Sequence, residues 1–287
     1  MSNSFKATNE QINQIKEHYK DYQIDNDNPM FLFKAKTNTF SVFIYNNNTV
    51  LFQGKDAGNE YIKWYMSEDE DVIDHVGSDE VGVGDYFGPI VVTASLVKKE
   101  DYEYLKFVGV RDSKQLSDKD ILEIAPMIIP KIKSVTFVLS NNKYNEIHTD
   151  KEFNLNKIKA YLHNFVLYKL VHKEKFDGKI IIDQFCSEDL YYSYLRDYKT
   201  NDIQTNIYFT IKAENKYLAV ACSSIIARYT FLKEIEKLEQ EIGYKIPLGA
   251  SSEVDKLGKR IVDEKGIVFL KKYVKFHYKN TEKILEK

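Results

Sequence analysis

Val76-Gly77-Ser78-Asp79-Glu80-Val81-Gly82-Val83-Gly84 decides how the chain is read, together with the later run Lys179-Ile180-Ile181-Ile182-Asp183. Each places an acid at the end of a short apolar segment that reads as a buried strand. A carboxylate there is costly unless it is paired, hydrogen-bonded or bound to metal. If the two segments are parallel neighbours in one sheet, both carboxyl ends open on the edge where open α/β sheets place their ligands. Adjacent Asp79 and Glu80 point to opposite faces of an ideal strand, so a shared site requires the chain to distort near Glu80. Gly82 and Gly84 permit this, and with Val83 between them they leave backbone N–H groups able to approach a sugar or phosphate. The plainer reading is a strand cap followed by a hairpin turn.

Working outward, 287 residues suit one large domain, or a large and a small one, with enough core to fold without staples. Lys+Arg 41 against Asp+Glu 43 gives a net charge of -2, so no global basic signature marks a nucleic-acid binder. A local cationic groove around an acidic site can still average out over the chain. Two cysteines, Cys186 and Cys222, and no signal sequence imply a reducing, cytoplasmic setting. No stretch is long and apolar enough to cross a bilayer, and no surface helix carries an uninterrupted apolar seam, so a monomer without a membrane partner is expected.

Residues 1–66 read as a separate α+β module. Phe5 to Tyr22 carries Ile12, Ile15 and Tyr19 at helical spacing, and β-rich runs follow at Met30–Ala35, Thr39–Tyr45 and Thr49–Phe52. A helix through Ile62, Trp64 and Met66 closes the module. One sheet face should cover the helices, while the other mixes aromatics with Lys34, Lys36 and Ser41, a composition shared by nucleic-acid platforms and plain strands. Residues 67–73, with Ser67-Glu68-Asp69-Glu70-Asp71, read as an acidic linker.

Residues 74–287 read as the larger unit. Strands are expected at Val76–Asp79, Tyr86–Leu96, Val135–Leu139, Lys179–Asp183 and Ile207–Ile211. Helices are expected at Asp118–Ile128, opened by Ser117 and Asp120, and at Asn156–His172, Leu190–Leu195 and Leu218–Leu238. Three strands joined by short links, followed by strands alternating with helices, predict an α/β fold. Its mixed five-stranded sheet has an antiparallel region and right-handed parallel crossovers.

The motifs in order resemble the type 2 ribonucleases H: Gly77-Ser78-Asp79-Glu80-Val81-Gly82-Val83-Gly84-Asp85, Phe87-Gly88-Pro89, Asp112-Ser113-Lys114, Ile181-Ile182-Asp183-Gln184-Phe185, Ser223-Ser224-Ile225-Ile226-Ala227-Arg228-Tyr229 and Lys275-Phe276-His277. Residues 1–66 resemble the TATA-binding-protein-like substrate-binding domain that marks the HIII branch. The resemblance implies a ribonuclease H-like fold and endonucleolytic cleavage of the RNA strand of RNA–DNA hybrids, leaving 5′-phosphate and 3′-hydroxyl ends. It makes Asp79, Glu80 and Asp183 catalytic metal ligands, and carboxylate oxygens suit Mg²⁺ or Mn²⁺.

It also implies a fourth acid on the helix after the Ser-Ile-Ile-Ala segment, where Leu232 stands at the matching position. Glu234 and Glu236 lie close by, and Glu234 is the candidate ligand. Gly82, Val83 and Gly84 would read the ribose 2′-hydroxyl, Lys114 beside Ser113 a phosphate, and Ser223 and Ser224 the nucleic acid, unless the two serines only pack a helix beside the sheet. His277 stands in a basic aromatic segment, Lys271–Lys279, that could line a substrate groove. Two other readings stay open: a non-catalytic hybrid- or duplex-binding protein, and a DNA nuclease or recombinase on the same fold.

Overall fold

The computed structural model describes residues 2–25, 28–65, 72–110, 116–148, 153–196 and 202–286, with the backbone alone at 59, 62 and 65. The chain divides into two compact units, Met1–Asp71 and Val72–Lys287.

In the first unit, β1 (Ser2–Lys6) precedes α1 (Asn9–His18), followed by β2 (Phe31–Lys36), β3 (Phe40–Tyr45), β4 (Thr49–Gly54) and α2 (Ala57–Tyr65). The strands form an antiparallel sheet in the order β1-β4-β3-β2. The helix expected over Phe5–Tyr22 is thus shorter, and a strand stands before it. Thr8 stops the strand and starts the helix: its hydroxyl accepts from Gln11 N at 3.2 Å, while Gln11 Oε1 accepts from Thr8 N at 3.0 Å. Alternation along β2, β3 and β4 buries Phe33, Ala35, Val42, Ile44, Val50 and Phe52 against Ile12, Ile15, Tyr61 and Trp64. The opposite face keeps Phe31 with Tyr45 and Phe43, ring centroids 4.7 and 5.7 Å apart, and Lys34 Nζ 5.5 Å over the Phe31 ring.

The second unit is built on a five-stranded sheet of order β7-β6-β5-β8-β9, with β5 (His75–Val81) at its centre. β5 pairs antiparallel with β6 (Ile90–Val97), which pairs antiparallel with β7 (Lys133–Leu139). On its other side β5 runs parallel to β8 (Lys179–Asp183), which runs parallel to β9 (Ile207–Thr210). The helices are α3 (Tyr102–Phe107), α4 (Asp118–Ile128), α5 (Asn141–His148), α6 (Leu155–Glu174), α7 (Glu188–Leu195), α8 (Leu218–Ile242), α9 (Ser252–Lys265), α10 (Ile267–Lys271) and α11 (Lys279–Leu285).

The two long helices cover the two sheet faces. On one, Ile158, Leu162, Val166 and Leu170 of α6 pack on Val76, Val92, Ile180 and Ile182. On the other, α8 lies against β5 and β6 with Val220 on Ile181 and Phe231 beside Val91. The Ser117–Asp120 capping box opens α4 as expected, the Asp120 N–H reaching Ser117 Oγ at 3.3 Å. The expected strand from Tyr86 begins only at Ile90, because residues 82–89 form a turn whose Phe87 bridges to Val274 of the C-terminal segment.

Candidate active site

Register settles which acids can meet. Ser78 is paired with Ile182 across the parallel β5–β8 ladder, so Asp79 and Asp183 are the next residues along neighbouring strands. Ser78 faces α6, its Oγ 2.8 Å from His163 Nδ1, and period-two alternation then turns Asp79 toward α8. There the Ser224 side chain hydrogen-bonds the Asp79 carboxylate, and Glu80 N donates to Asp79 Oδ1 at 2.8 Å. Asp183 Oδ1 accepts from the amide of Ala213 at 3.0 Å. Burial, the charge on Glu80 and, to a smaller degree, the charge on Asp183 outweigh those hydrogen bonds and push Asp79 up to about 8.

Glu80 lies on the other side of the sheet. The β5–β6 register runs without interruption from His75 to Val81, so the distortion expected near Glu80 is absent and its carboxylate points at α6. His163 Nε2 is 2.8 Å from Glu80 Oε2, and Lys159 Nζ pairs with Oε1. Lys159 also sits 4.0 Å over the Phe185 ring, and the His163 ring stacks on the same phenyl. Burial alone would raise Glu80, but His163 and Lys159 prevail and bring it down to about 2.

The turn after β5 has two unlike glycines. Gly82 adopts φ +95°, and a Cβ there would lie 2.2 Å from the carbonyl oxygen of Pro89 and 3.1 Å from the Phe231 ring. Gly84 is exposed, and a Cβ on it would meet nothing within 4 Å. Val83 packs partly into the α6-side core, and its carbonyl accepts from the Tyr278 hydroxyl.

Several expected site residues fall elsewhere. Ser223 is fully buried, donating to Gly77 O at 2.8 Å and Ser95 Oγ at 2.9 Å, so it ties α8 to the sheet and has no surface to offer nucleic acid. Glu234 is not brought to Asp79: it lies about 15 Å further along α8 than Ser224, pairs with Lys237 and lines a cavity with Pro89, Ser140 and Tyr273. Glu236 pairs with Lys233 at 3.0 Å, and Leu232 packs into the core between α4 and α8. Ser113 and Lys114 lie outside the described residues. Within the Lys271–Lys279 segment, Lys275 is buried, whereas His277 is exposed and stacks on His148 with centroids 3.7 Å apart.

One acid that sequence reading passed over is Glu214. It is 3% exposed, in the short turn Ala213–Asn215 before α8, one residue beyond the amide that holds Asp183. An isolated acid just before a helix reads as a partner for the helix dipole, which hides it. Its burial is the feature that singles it out.

A family model described as Ribonuclease HII matches residues 76–281. The chain belongs to that family. A second model, a domain of unknown function (DUF3378), matches residues 4–72. Ribonuclease HIII of Geobacillus sp. (strain WCH70) is 38% identical over 96% of this chain and 95% of that relative. Ribonuclease HIII of Phytoplasma mali (strain AT) is 40% identical over 95% and 94%. Among solved structures, the crystal structure of Bst-RNase HIII in complex with Mn²⁺ matches with a TM-score of 0.74 at 35% identity, covering 99% of this chain and 98% of that one. The matches to the ribonuclease HIII relatives and to the Bst-RNase HIII structure thus span both units.

The donors at the sheet edge suit a hard divalent cation. Asp79 and Asp183 offer carboxylate oxygens on one face, and burial sharpens their repulsion, which a dication would relieve. The imidazole of His163 is occupied on the opposite face. Among the described residues no three acidic, histidine or cysteine side chains converge on one point, and Glu80 is the acid turned away.

Proposed function

We propose that the chain is a ribonuclease H of the HIII type that hydrolyses the RNA strand of RNA–DNA hybrids endonucleolytically with Mg²⁺ or Mn²⁺, leaving 5′-phosphate and 3′-hydroxyl ends. Asp79 and Asp183 would hold the metal, with the buried Glu214, next to the amide that fixes Asp183, as the candidate further ligand and Glu80 as the adjoining acid. The carrying observation is the Asp79–Asp183 pair on adjacent parallel strands, one carboxyl so desolvated that it rises to about 8. When bound, the metal supplies Lewis acidity to activate water and to stabilise the leaving 3′ oxygen.

The chain's own residues do the rest. Ser224 fixes the Asp79 carboxylate, and the Ala213 amide fixes that of Asp183. Lys159 and His163 hold Glu80 ionised. At exposed Gly84, where a Cβ would meet nothing within 4 Å, the amide meets the ribose 2′-hydroxyl that separates RNA from DNA. The first unit adds a second binding surface through the outer sheet face of Phe31, Phe43, Tyr45 and Lys34. The two free cysteines fit a cytoplasmic enzyme, and the assembly is a monomer, which light scattering tests.

The deciding experiment measures cleavage of a hybrid against a DNA duplex of the same sequence, with and without Mg²⁺. Metal-dependent cutting of the RNA strand alone is expected. A pure binding protein would show no turnover in either condition, and a DNA nuclease would cut the duplex.

A further inference from the structure

The turn that carries Gly82, Val83 and Gly84 is held by the last residues of the chain. Lys275 is 0% exposed, and its Nζ donates to the carbonyls of Asp85 at 2.7 Å and Gly88 at 2.6 Å. The backbone repeats the tie: Lys275 N donates to Tyr86 O at 2.8 Å, and Gly88 N to Tyr273 O at 3.1 Å. Above these, the Tyr278 hydroxyl donates to Val83 O. The segment is itself braced by Asn145, whose amide reaches Val274 O at 2.9 Å and whose carbonyl accepts from Phe276 N at 3.0 Å.

Burying an amino group against main-chain carbonyls is a poor way to gain stability, since the desolvation cost is large and the partners are neutral. Burial lowers Lys275 to about 7, with the charge on Asp85 resisting. What these bonds do achieve is to fix the direction of chosen peptide groups. A trans peptide is planar, with C=O and N–H pointing opposite ways. The Val83 carbonyl points at Tyr278, so the N–H of Gly84 in the same peptide plane points away from it. Gly84 is exposed and would leave a Cβ in open space, which gives a ligand room to approach. Burial and Asp85 raise the Tyr278 phenol to about 12, so it stays a donor at neutral pH.

We infer that Tyr278 and Lys275 are positioning residues: by pinning the carbonyls of Val83, Asp85 and Gly88 they aim the Gly84 amide at the ribose 2′-hydroxyl, so the C-terminal segment sets the preference for RNA over DNA. The inference rests on the reading that the Gly84 amide meets the ribose, and it adds which side chains aim it.

The test uses full-length Tyr278→Phe, which deletes one hydroxyl and keeps the ring, with Lys275→Met beside it. KM and kcat are measured on hybrid in Mg²⁺, and the inhibition constant of a same-sequence DNA duplex is measured as competitor. The parent first shows whether hybrid is preferred; if it is not, the reading of Gly84 falls, and this inference with it. Given that preference, Tyr278→Phe should raise the hybrid KM about tenfold, the size of one misaimed hydrogen bond. The DNA inhibition constant should stay within about twofold and Tm within a few degrees. Parallel weakening of both substrates, or an unchanged ratio in a folded Tyr278→Phe protein, overturns the inference while leaving the ribonuclease reading intact. Should Lys275→Met fail to fold, the Tyr278→Phe ratio still decides.

Discussion

Replacing Gly82 and Gly84 separately by valine should separate folding from function within one turn. At Gly82 the backbone has φ +95°, which costs an L-residue roughly 1–2 kcal/mol. The new Cβ would also stand 2.2 Å from Pro89 O, a backbone atom that cannot swing aside, and such overpacking adds roughly 1–3 kcal/mol. The sum is about 2–5 kcal/mol, which in a unit of this size lowers Tm by roughly 4–20 °C. At Gly84 the side chain enters open space, so stability should change by no more than about 0.5 kcal/mol. The same side chain would stand where a ribose has to approach, and a displacement of an ångström at a reacting centre costs on the order of 10²-fold in rate. Circular dichroism melting and hybrid cleavage on both proteins give the comparison. If Gly84→Val cleaves hybrid at the parent's rate, nothing approaches that amide closely. If Gly82→Val melts with the parent, the turn relaxes more freely than its geometry implies.

Asp79→Asn and Asp183→Asn should each abolish cleavage while hybrid affinity stays within a few-fold, since charge is removed at nearly constant volume; near-parental turnover of either in Mg²⁺ would remove that acid from the site. With metal chelated, the folded chain holds a proton on Asp79 up to about pH 8 that the unfolded chain releases near pH 4, so the parent loses stability as pH climbs through that window. The Tm advantage of Asp79→Asn should therefore widen from pH 4 to pH 8, and a constant difference would contradict the desolvated carboxyl. Glu214→Gln should raise the Mn²⁺ concentration needed for half-maximal thermal stabilisation; an unchanged titration would show that Glu214 holds no metal. A protein of residues 72–287 should keep metal-dependent cleavage at saturating enzyme but bind dilute hybrid more weakly, and hybrid binding by the isolated first unit should weaken as salt rises. Equal binding by full-length and shortened chains would make the first unit a structural or protein-interaction domain.

Much of the frame was legible because local pattern and tertiary role agree. Ile180, Ile181 and Ile182 are apolar in succession because β8 is buried on both faces, and Ser117 with Asp120 states a helix start in four letters. β1 was not legible, since Phe5 is the sole apolar residue of Ser2–Lys6 and one residue shows no period. Among the acids, the sequence pointed equally to Asp79, Glu80 and Asp183 but gave no means of knowing that Glu80 has two partners on α6, because Lys159 and His163 come beside it only when that helix crosses β5. The same limit applies to Ser223 and Ser224. Adjacent on α8, they point in different directions, one into the sheet and the other at Asp79.

The tie between Tyr278 and Val83 spans 195 residues, and that between Lys275 and Asp85 spans 190. Synthesis at roughly 5–20 residues per second separates the making of the turn from the making of its clamp by about 10–40 seconds. Throughout that interval the strand bearing Asp79 exists without the segment that sets the turn beside it. A chain cut before Lys275 therefore carries every acid of the site but lacks the two side chains that aim the Gly84 amide, and it should tell RNA from DNA less sharply than the whole protein.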